Sequence, residues 1–467
     1  MDRRRFLHAA SAASAAGIGV AARPSWAFHD EFQETGLLQP SYGEISNLRV
    51  LGYTDLGFGS APDGSALDPA TRLPWDRVAE FRVIGGYAYC SNYQGWSIVD
   101  VREPRDMKVV FRYQNQPAPD NTQYIDIKGG NILVQKTNFA LKIWDVTNKT
   151  APTLLSLFTP PDIRPTGAPF HGLWIHEDRR GRFAMAAVAL QGYTDMILII
   201  VDITNPRQPR EVSRWHYPGM HTASGETPTW PSTGFTVQAH DITTYLDRAY
   251  VAWRDKGVII LDISNIANPT RIGEINWSDE RAGFPPLPGQ THSVGIVVPN
   301  DPRRRPETII VPDELGQCPY GFMHLIDIRN ERRPIEISGF RLPLNMHGNC
   351  PADRPGRRFG AHDLERMIHG NIVWSAWEEG GFWGFDISDL HYPREAAYFI
   401  PPVRSDSPST SRSGHADDVF VARNGIIFGS SSDPGAGGLW AMRHVPGLKG
   451  RVVWNTEENG VIFLRDR

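Results

Sequence analysis

One short phrase recurs six times along this chain, and that recurrence limits the fold more than any other feature. Each copy has apolar residues, an Asp, a β-branched residue and a Pro a few places later. The copies occupy residues 96–101, 141–146, 199–203, 258–263, 323–328 and 382–387, followed by Pro104, Pro152, Pro209, Pro269, Pro334 and Pro393. Their Asp residues (Asp100, Asp145, Asp202, Asp262, Asp327, Asp386) stand 45, 57, 60, 65 and 59 residues apart. Self-similarity at such a period means stacked copies of one supersecondary unit. A seventh, degenerate copy at 438–442 lacks the Asp.

Every unit holds the same order of apolar runs. In the fourth they cover residues 235–243, 249–253, 257–263 and 270–276, each of strand length and separated by Asp, Gly or Asn turns. With 44 Gly, 37 Pro and 10% aromatics, the composition suits many short strands and excludes disorder or coiled coil. Four strands in each of seven units predict an all-β, seven-bladed β-propeller folded as a single domain over residues 80–467. Residues 28–79 form an N-terminal segment, and either its run at 48–53 or the run at 451–454 can complete the seventh blade. The repeated Asp has a structural role in this reading: its carboxylate accepts backbone N–H groups in the turn before the Pro.

The copies, read as aliphatics, Asp, Ile and then Pro over residues 80–445, resemble the LVIVD-repeat family. That resemblance implies a propeller and says little of chemistry. Residues 1–27 read as a signal peptide. Arg3, Arg4, Phe6 and Leu7 resemble a twin-arginine motif, with Asp2 where Ser or Thr is usual, and Ser25 and Ala27 fit a cleavage site. The expectation is export in folded form by the twin-arginine machinery to the periplasm or medium. Loss of the leader removes four Arg and one Asp, leaving 44 basic and 51 acidic residues. That balance gives no reason to seek nucleic acid. No apolar stretch reaches the ~18 residues of a membrane anchor. Cys90, Cys318 and Cys350 allow one disulfide and one free thiol, with Cys318 and Cys350 placed to clamp a loop.

A second pattern lies inside the first. About 20 residues before the Asp phrase, where the innermost strand of a blade begins, units three to seven carry His171, His240, His292, His362 and His415. Units one and two are expected to carry Phe81 and Tyr124 there. First residues of innermost strands gather at one mouth of the propeller channel, so five imidazoles converge on the axis as metal ligands. Propeller enzymes such as nitrous oxide reductases place His rings similarly, and methanethiol oxidases of the selenium-binding class are similar in fold. Both likenesses are architectural. His176, His216, His324, His369, His391 and His444 fall outside this register.

The loops between second and third strands open on the same mouth and carry Arg254, Glu314 and Glu378. Arg254 suits an anionic substrate group, and Glu314 and Glu378 suit a general base or a partner that orients a His. Longer crossings at 216–237, with His221, and 342–360, with His347, pass over this face. Trp174, Trp230, Trp253 and Trp377 offer either an aromatic wall or packing between blades. The sequence therefore predicts an exported metalloenzyme with one axial transition metal, Cu or Fe before Mn or Zn, acting on a small molecule. Oxidase chemistry leads, lyase or hydrolase chemistry follows, and a non-catalytic binding scaffold is the rival from another class.

Overall fold

The computed structural model describes residues 43–56, 77–93, 95–114, 121–230, 235–276, 289–316, 320–342, 358–402, 415–432, 437–455 and 460–465, the last two stretches as backbone only from residue 454 on. The repeats fold into seven antiparallel blades: blades one to five have four strands each, blade six has three strands in its ladder among the described residues, and blade seven takes its fourth from the N-terminal segment. In the fourth blade the strands are Asp241–Tyr245, Arg248–Ala252, Val258–Asp262 and Thr270–Ile275, paired in that order. The predicted first run started six residues before the strand, because 235–239 lead into the blade and only the His240 N–H, bonded to Ala252, joins its ladder ahead of Asp241. Blades one to three start at Phe81–Ile84, Ile125–Lys128 and Phe170–Asp178.

Burial follows position in the blade. The third strand of blade three, Met196–Asp202, is an unbroken apolar run between two neighbours, while the outermost strand, Arg210–Trp215, is only half-buried. Large side chains fill the wedges between blades: Trp215 meets Trp253 edge-on at 5.1 Å between ring centroids, and Phe340 meets Trp377 at 6.1 Å. Trp253 and Trp377 are fully buried. They pack blades together and offer no wall to a substrate.

The N-terminal strand closes the ring. Glu44–Thr54 pairs antiparallel with Gly438–Asn455 over Glu44↔Arg451 to Thr54↔Leu439, so it is the outermost strand of blade seven. It also pairs with blade six at Ile45↔Phe399 and Ser46↔Tyr398, which joins the last two blades in one sheet. The run at 451–454 instead enters a hairpin with Gly460–Arg465. Blades five and six are linked at the centre, where Gly295–Val297 runs parallel to Met367–Ile368.

The repeated Asp does what its position predicts. Asp100, Asp145, Asp202, Asp262, Asp327 and Asp386 each accept, through Oδ1, the backbone N–H two residues on, at 2.7–3.1 Å. Such a bond fixes the turn that delivers the outermost strand. Cys90 is buried and free, and burial raises its thiol pKa. Cys318 and Cys350 lie outside the described residues. Among the described residues no helix is long and apolar enough to cross a membrane.

Two outcomes follow. Asp145→Ala should cost about 1 kcal/mol in urea unfolding, and Asp145→Asn, which keeps Oδ1, much less. The hydrogen bonds to Thr147 hold the Asp145 carboxyl below its ordinary value. Its charged form therefore stabilises the fold above the unfolded value of ~3.9, and that share is lost as pH falls through the lower folded value. The gap between wild type and Asp145→Asn should close in acid. Gly172 makes the second prediction: a Cβ there would meet the His240 carbonyl oxygen at 1.9 Å. Gly172→Ala should lower stability by about 2 kcal/mol or more in the same assay, because backbone cannot yield as a side chain does.

Candidate metal centre

Closest approach of blades three and four at Gly172 brings their histidines into contact. His171 Nε2 lies 2.5 Å from His240 Nε2. The rings continue around the mouth: centroids are 4.2 Å apart for His171–His240, 4.4 Å for His240–His292, 4.2 Å for His292–His362 and 5.9 Å for His362–His415. The five residues taken from the sequence register thus form one arc. His240, His292 and His362 are buried, and His171 and His415 are partly so.

The ladders correct the register in three blades. His240, His292 and His362 each donate their backbone N–H to the last residue of the next strand, and in blade one Ala79 does this. Lys136 donates to the Tyr124 carbonyl as Ala376 does to that of Asp363. The positions equivalent to His are therefore Ala79 and Gln123, and Phe81 and Tyr124 lie deeper. Tyr124 still packs edge-on against His171 at 5.0 Å. In blade seven a bulge between Ala416 and Val419 puts Asp417 in register and His415 two places ahead.

Fixed acceptors hold the ring orientations. His240 Nδ1 lies 2.9 Å from the His292 carbonyl oxygen and His362 Nδ1 2.7 Å from that of Asp417. In His240, whose pKa burial holds low, an Nδ1–H donated in this way leaves Nε2 with its lone pair; His362 must lose a proton before it can offer one. His292 Nδ1 lies 3.7 Å from Asp363 Oδ2, and its Nε2 lies 3.7 Å from Glu314 Oε2. Glu314 Oε1 is 3.9 Å from His362 Nε2. Burial, then Lys136 and Arg254, holds His171 well below its ordinary pKa, and burial and Arg254 do the same for His240. Burial also lowers His362, but Asp417 and Glu314 outweigh it and raise the group to about 9.

The three predicted loop residues share one ion-pair network, with Arg254 and Glu314 beside the histidines and Glu378 buried behind Arg358. Arg254 Nη1 pairs with Glu314 Oε2 at 2.6 Å, and Arg358 bridges Glu314 and Glu378. Burial raises Glu314, yet Arg254 and His292 outweigh it and hold its carboxyl well below the usual range. Glu378 has no exposed surface; it also accepts the Gly360 N–H at 2.7 Å, and burial lifts its carboxyl to about 7. Glu378 thus fixes Arg358 and is sealed from the mouth. Arg254 and Glu378 occupy equivalent loop positions at φ +41° and +33°. Left-handed backbone at non-glycine residues persists only where surrounding contacts enforce it.

Other predicted residues disperse. His221 stacks on Tyr193, and the backbone N–H groups of Gly219 and His221 converge on Glu226, which also meets His216. Trp174 faces the opposite mouth. His347 lies outside the described residues. His324 is buried between Glu336 at 2.8 Å and Asp313 at 3.4 Å, a satisfied polar group.

Sequence reading missed the layer beneath the histidines. Glu80, Asp241, Asp363 and Asp418 point into the channel one place deeper, and all are buried. Arg366 Nη2 lies 2.5 Å from Asp241 and 3.0 Å from Asp363; Arg82 Nη1 lies 3.0 Å from Asp418 and 3.1 Å from Glu80. Burial and the neighbouring Asp363 and Asp418 push the Glu80 carboxyl well up. The dipeptides His240-Asp241 and His362-Asp363 were the available signal. Removing Arg366 leaves Asp241 and Asp363 buried without their cation. Arg366→Met should therefore cost about 3–5 kcal/mol in urea unfolding at pH 7, and less at pH 5, where the freed carboxylates take up protons.

Comparison with known proteins agrees with the fold. A family model described as LVIVD repeat matches residues 78–115, 192–216 and 238–276, within blades one, three and four. The chain is similar to a structure of U3-55K (10% identity, 84% of this chain and 98% of that one, TM-score 0.51). It is also similar to the RRP9 WD40 repeats (11% identity, 90% and 97%, TM-score 0.50). At these identities the likeness concerns the fold alone. No curated protein matches in sequence. The ring of blades and the matched repeats together make this chain a β-propeller that carries LVIVD repeats in blades one, three and four.

Proposed function

We propose that this propeller is an exported metalloenzyme that binds one transition-metal ion at its histidine mouth and acts there on a small molecule, with oxidoreductase chemistry first. One observation carries the reading: His240 and His362, on either side of His292, have Nδ1 held by backbone carbonyls, and ligand atoms of His240, His292 and Glu314 gather in one space beside them. Metal-binding histidines are held in this way, by a partner on the far nitrogen that sets tautomer and tilt. Two imidazole lone pairs cannot face each other at 2.5 Å, so His171 and His240 share a proton at that distance, and both rings would have to part slightly to ligate one ion. Ligand atoms of His240, His292 and Glu314 lie within 4.8 Å of one another, as do those of His362, His415 and Asp417. Two His and one carboxylate are the donor set of non-haem Fe(II), while an all-imidazole set suits Cu.

When bound, such an ion supplies Lewis acidity or one-electron chemistry. The chain's own residues do the rest. Glu314, anchored by Arg254 and Arg358, is a carboxylate at the mouth able to ligate or to accept a proton. Glu378 positions Arg358 and thereby Glu314. Arg254 and Arg358 favour a substrate with an anionic group. The twin-arginine-like leader supports loading before export.

The test is elemental mass spectrometry on tag-free protein purified from the exported fraction. About one equivalent of Cu or Fe is expected, or of Mn or Zn for the lyase or hydrolase variant. His240→Ala and His292→Ala should each lose it, while His391→Ala, far from the arc in sequence register, should not. Chelation should lower Tm in wild type and leave His240→Ala unmoved, since an ion at 100 times its Kd stabilises by about 2.7 kcal/mol. Protein that is metal-free as purified and takes up no added Cu, Fe, Mn or Zn overturns the proposal in favour of a binding scaffold.

A further inference from the structure

The innermost strands that begin at the histidine mouth end at the opposite one, around a cavity of about 730 Å³. That size suits a small organic ligand. Its deep side includes Arg82, Asp126 and Arg366, all already committed: Asp126 accepts the N–H groups of Ile127 and Ile175 at 2.8 and 2.6 Å, and both arginines are bound to channel carboxylates. Its walls are apolar, with Val83, Ile127, Trp174, Met367 and Phe420. Lys128, His369 and Arg423 also line it, and none of them pairs with a carboxylate among the described residues. The Lys128 ammonium lies 4.8 Å from the Trp174 ring centroid.

Glu365 is the second observation. It lines the cavity at 7% exposure, and among the described residues its carboxyl has neither a hydrogen bond nor an ion pair. A buried polar group without a partner is costly unless something supplies one. Burial alone pushes its carboxyl up to about 8. In neutral solution it is therefore uncharged and can donate a hydrogen bond instead of repelling an anion.

We propose that this cavity is a second small-molecule site, which takes an organic anion with an apolar body. The charged head is drawn to Lys128 and Arg423, the body lies against Trp174 and Phe420, and the Glu365 hydroxyl donates to a ligand oxygen. The site is separate from the histidine mouth, because the salt-bridged layer of Glu80, Arg82, Asp363 and Arg366 fills the channel between them.

The experiment uses the full exported chain and 8-anilino-1-naphthalenesulfonate, an aromatic anion whose fluorescence rises in apolar surroundings. One saturable site per chain is expected, displaced by benzoate. In the double variant of half-buried Lys128 and exposed Arg423, Lys128→Glu/Arg423→Glu, Kd should rise at least tenfold, with a thermal transition that shows the fold intact. His240→Ala, which tests the other mouth, should leave Kd within twofold. Wild type should bind more weakly at pH 9 than at pH 7, as Glu365 ionises among Arg82, Asp126, Lys128, Arg366, His369 and Arg423. Glu365→Gln should remove that difference and keep the pH 7 affinity. Failure of the dye to bind, several weak sites per chain, or equal Kd in wild type and the double variant would each overturn the proposal. So would a pH effect that survives Glu365→Gln.

Discussion

Seven innermost strands converge on one axis, and whatever they point inward must be satisfied by what another strand points inward. Water reaches the centre only from the two mouths, so a polar side chain there depends on its counterparts across the channel. Arg82 and Arg366 meet this constraint by drawing together carboxylates from blades one, four, six and seven. The blades themselves are held by apolar wedges, which are non-directional and tolerate rearrangement. The ionic layer is directional. It fixes how far each innermost strand advances along the axis, and so fixes the height at which the histidines lie.

Much of this was legible in the sequence because propeller physics is periodic. The Asp phrase marks the third strand and its turn, and six of six carboxylates make the expected bond. The five histidines come together for the same reason. What failed was local. A bulge in blade seven shifts His415 from the ladder position, and equal spacing in sequence hid that Ala79 and Gln123, not Phe81 and Tyr124, match His240. Counting residues back from the Asp cannot see a bulge. Of the two roles open to the tryptophans, Trp253 and Trp377 take the packing one, between blades, where an all-β ring needs its bulkiest side chains. Ring closure was an open choice between two runs, and only pairing with 439–451 decides for the N-terminal one.

The charge layer was invisible for a different reason. Glu80, Arg82 and Asp126 look like ordinary strand-end charges in isolation, and their meaning lies in contacts spanning up to 337 residues, as between Asp418 and the Phe81 N–H. A sequence scan weighs each against the default that charged residues are solvated. Only the closing of the ring turns them into a core.

The same layer also decides where a cation can lie. Glu80, Asp363 and Asp418 bring carboxylate oxygens within 4.8 Å of one another, which by count alone suits a hard divalent ion. Yet Arg82 Nη1 is 3.0 Å from Asp418 and 3.1 Å from Glu80, and Arg366 Nη2 is 3.0 Å from Asp363. A divalent ion would meet two buried guanidinium groups with no room to withdraw, and charges at that range repel strongly in a low-dielectric channel. One layer up the situation is reversed. Burial holds His171, His240 and His292 below their ordinary pKa, and Glu314 lies beside His292 with its carboxyl held low by Arg254 and His292. The arginines that complete the carboxylate layer thus leave the histidine layer as the place on the axis for the ion we propose.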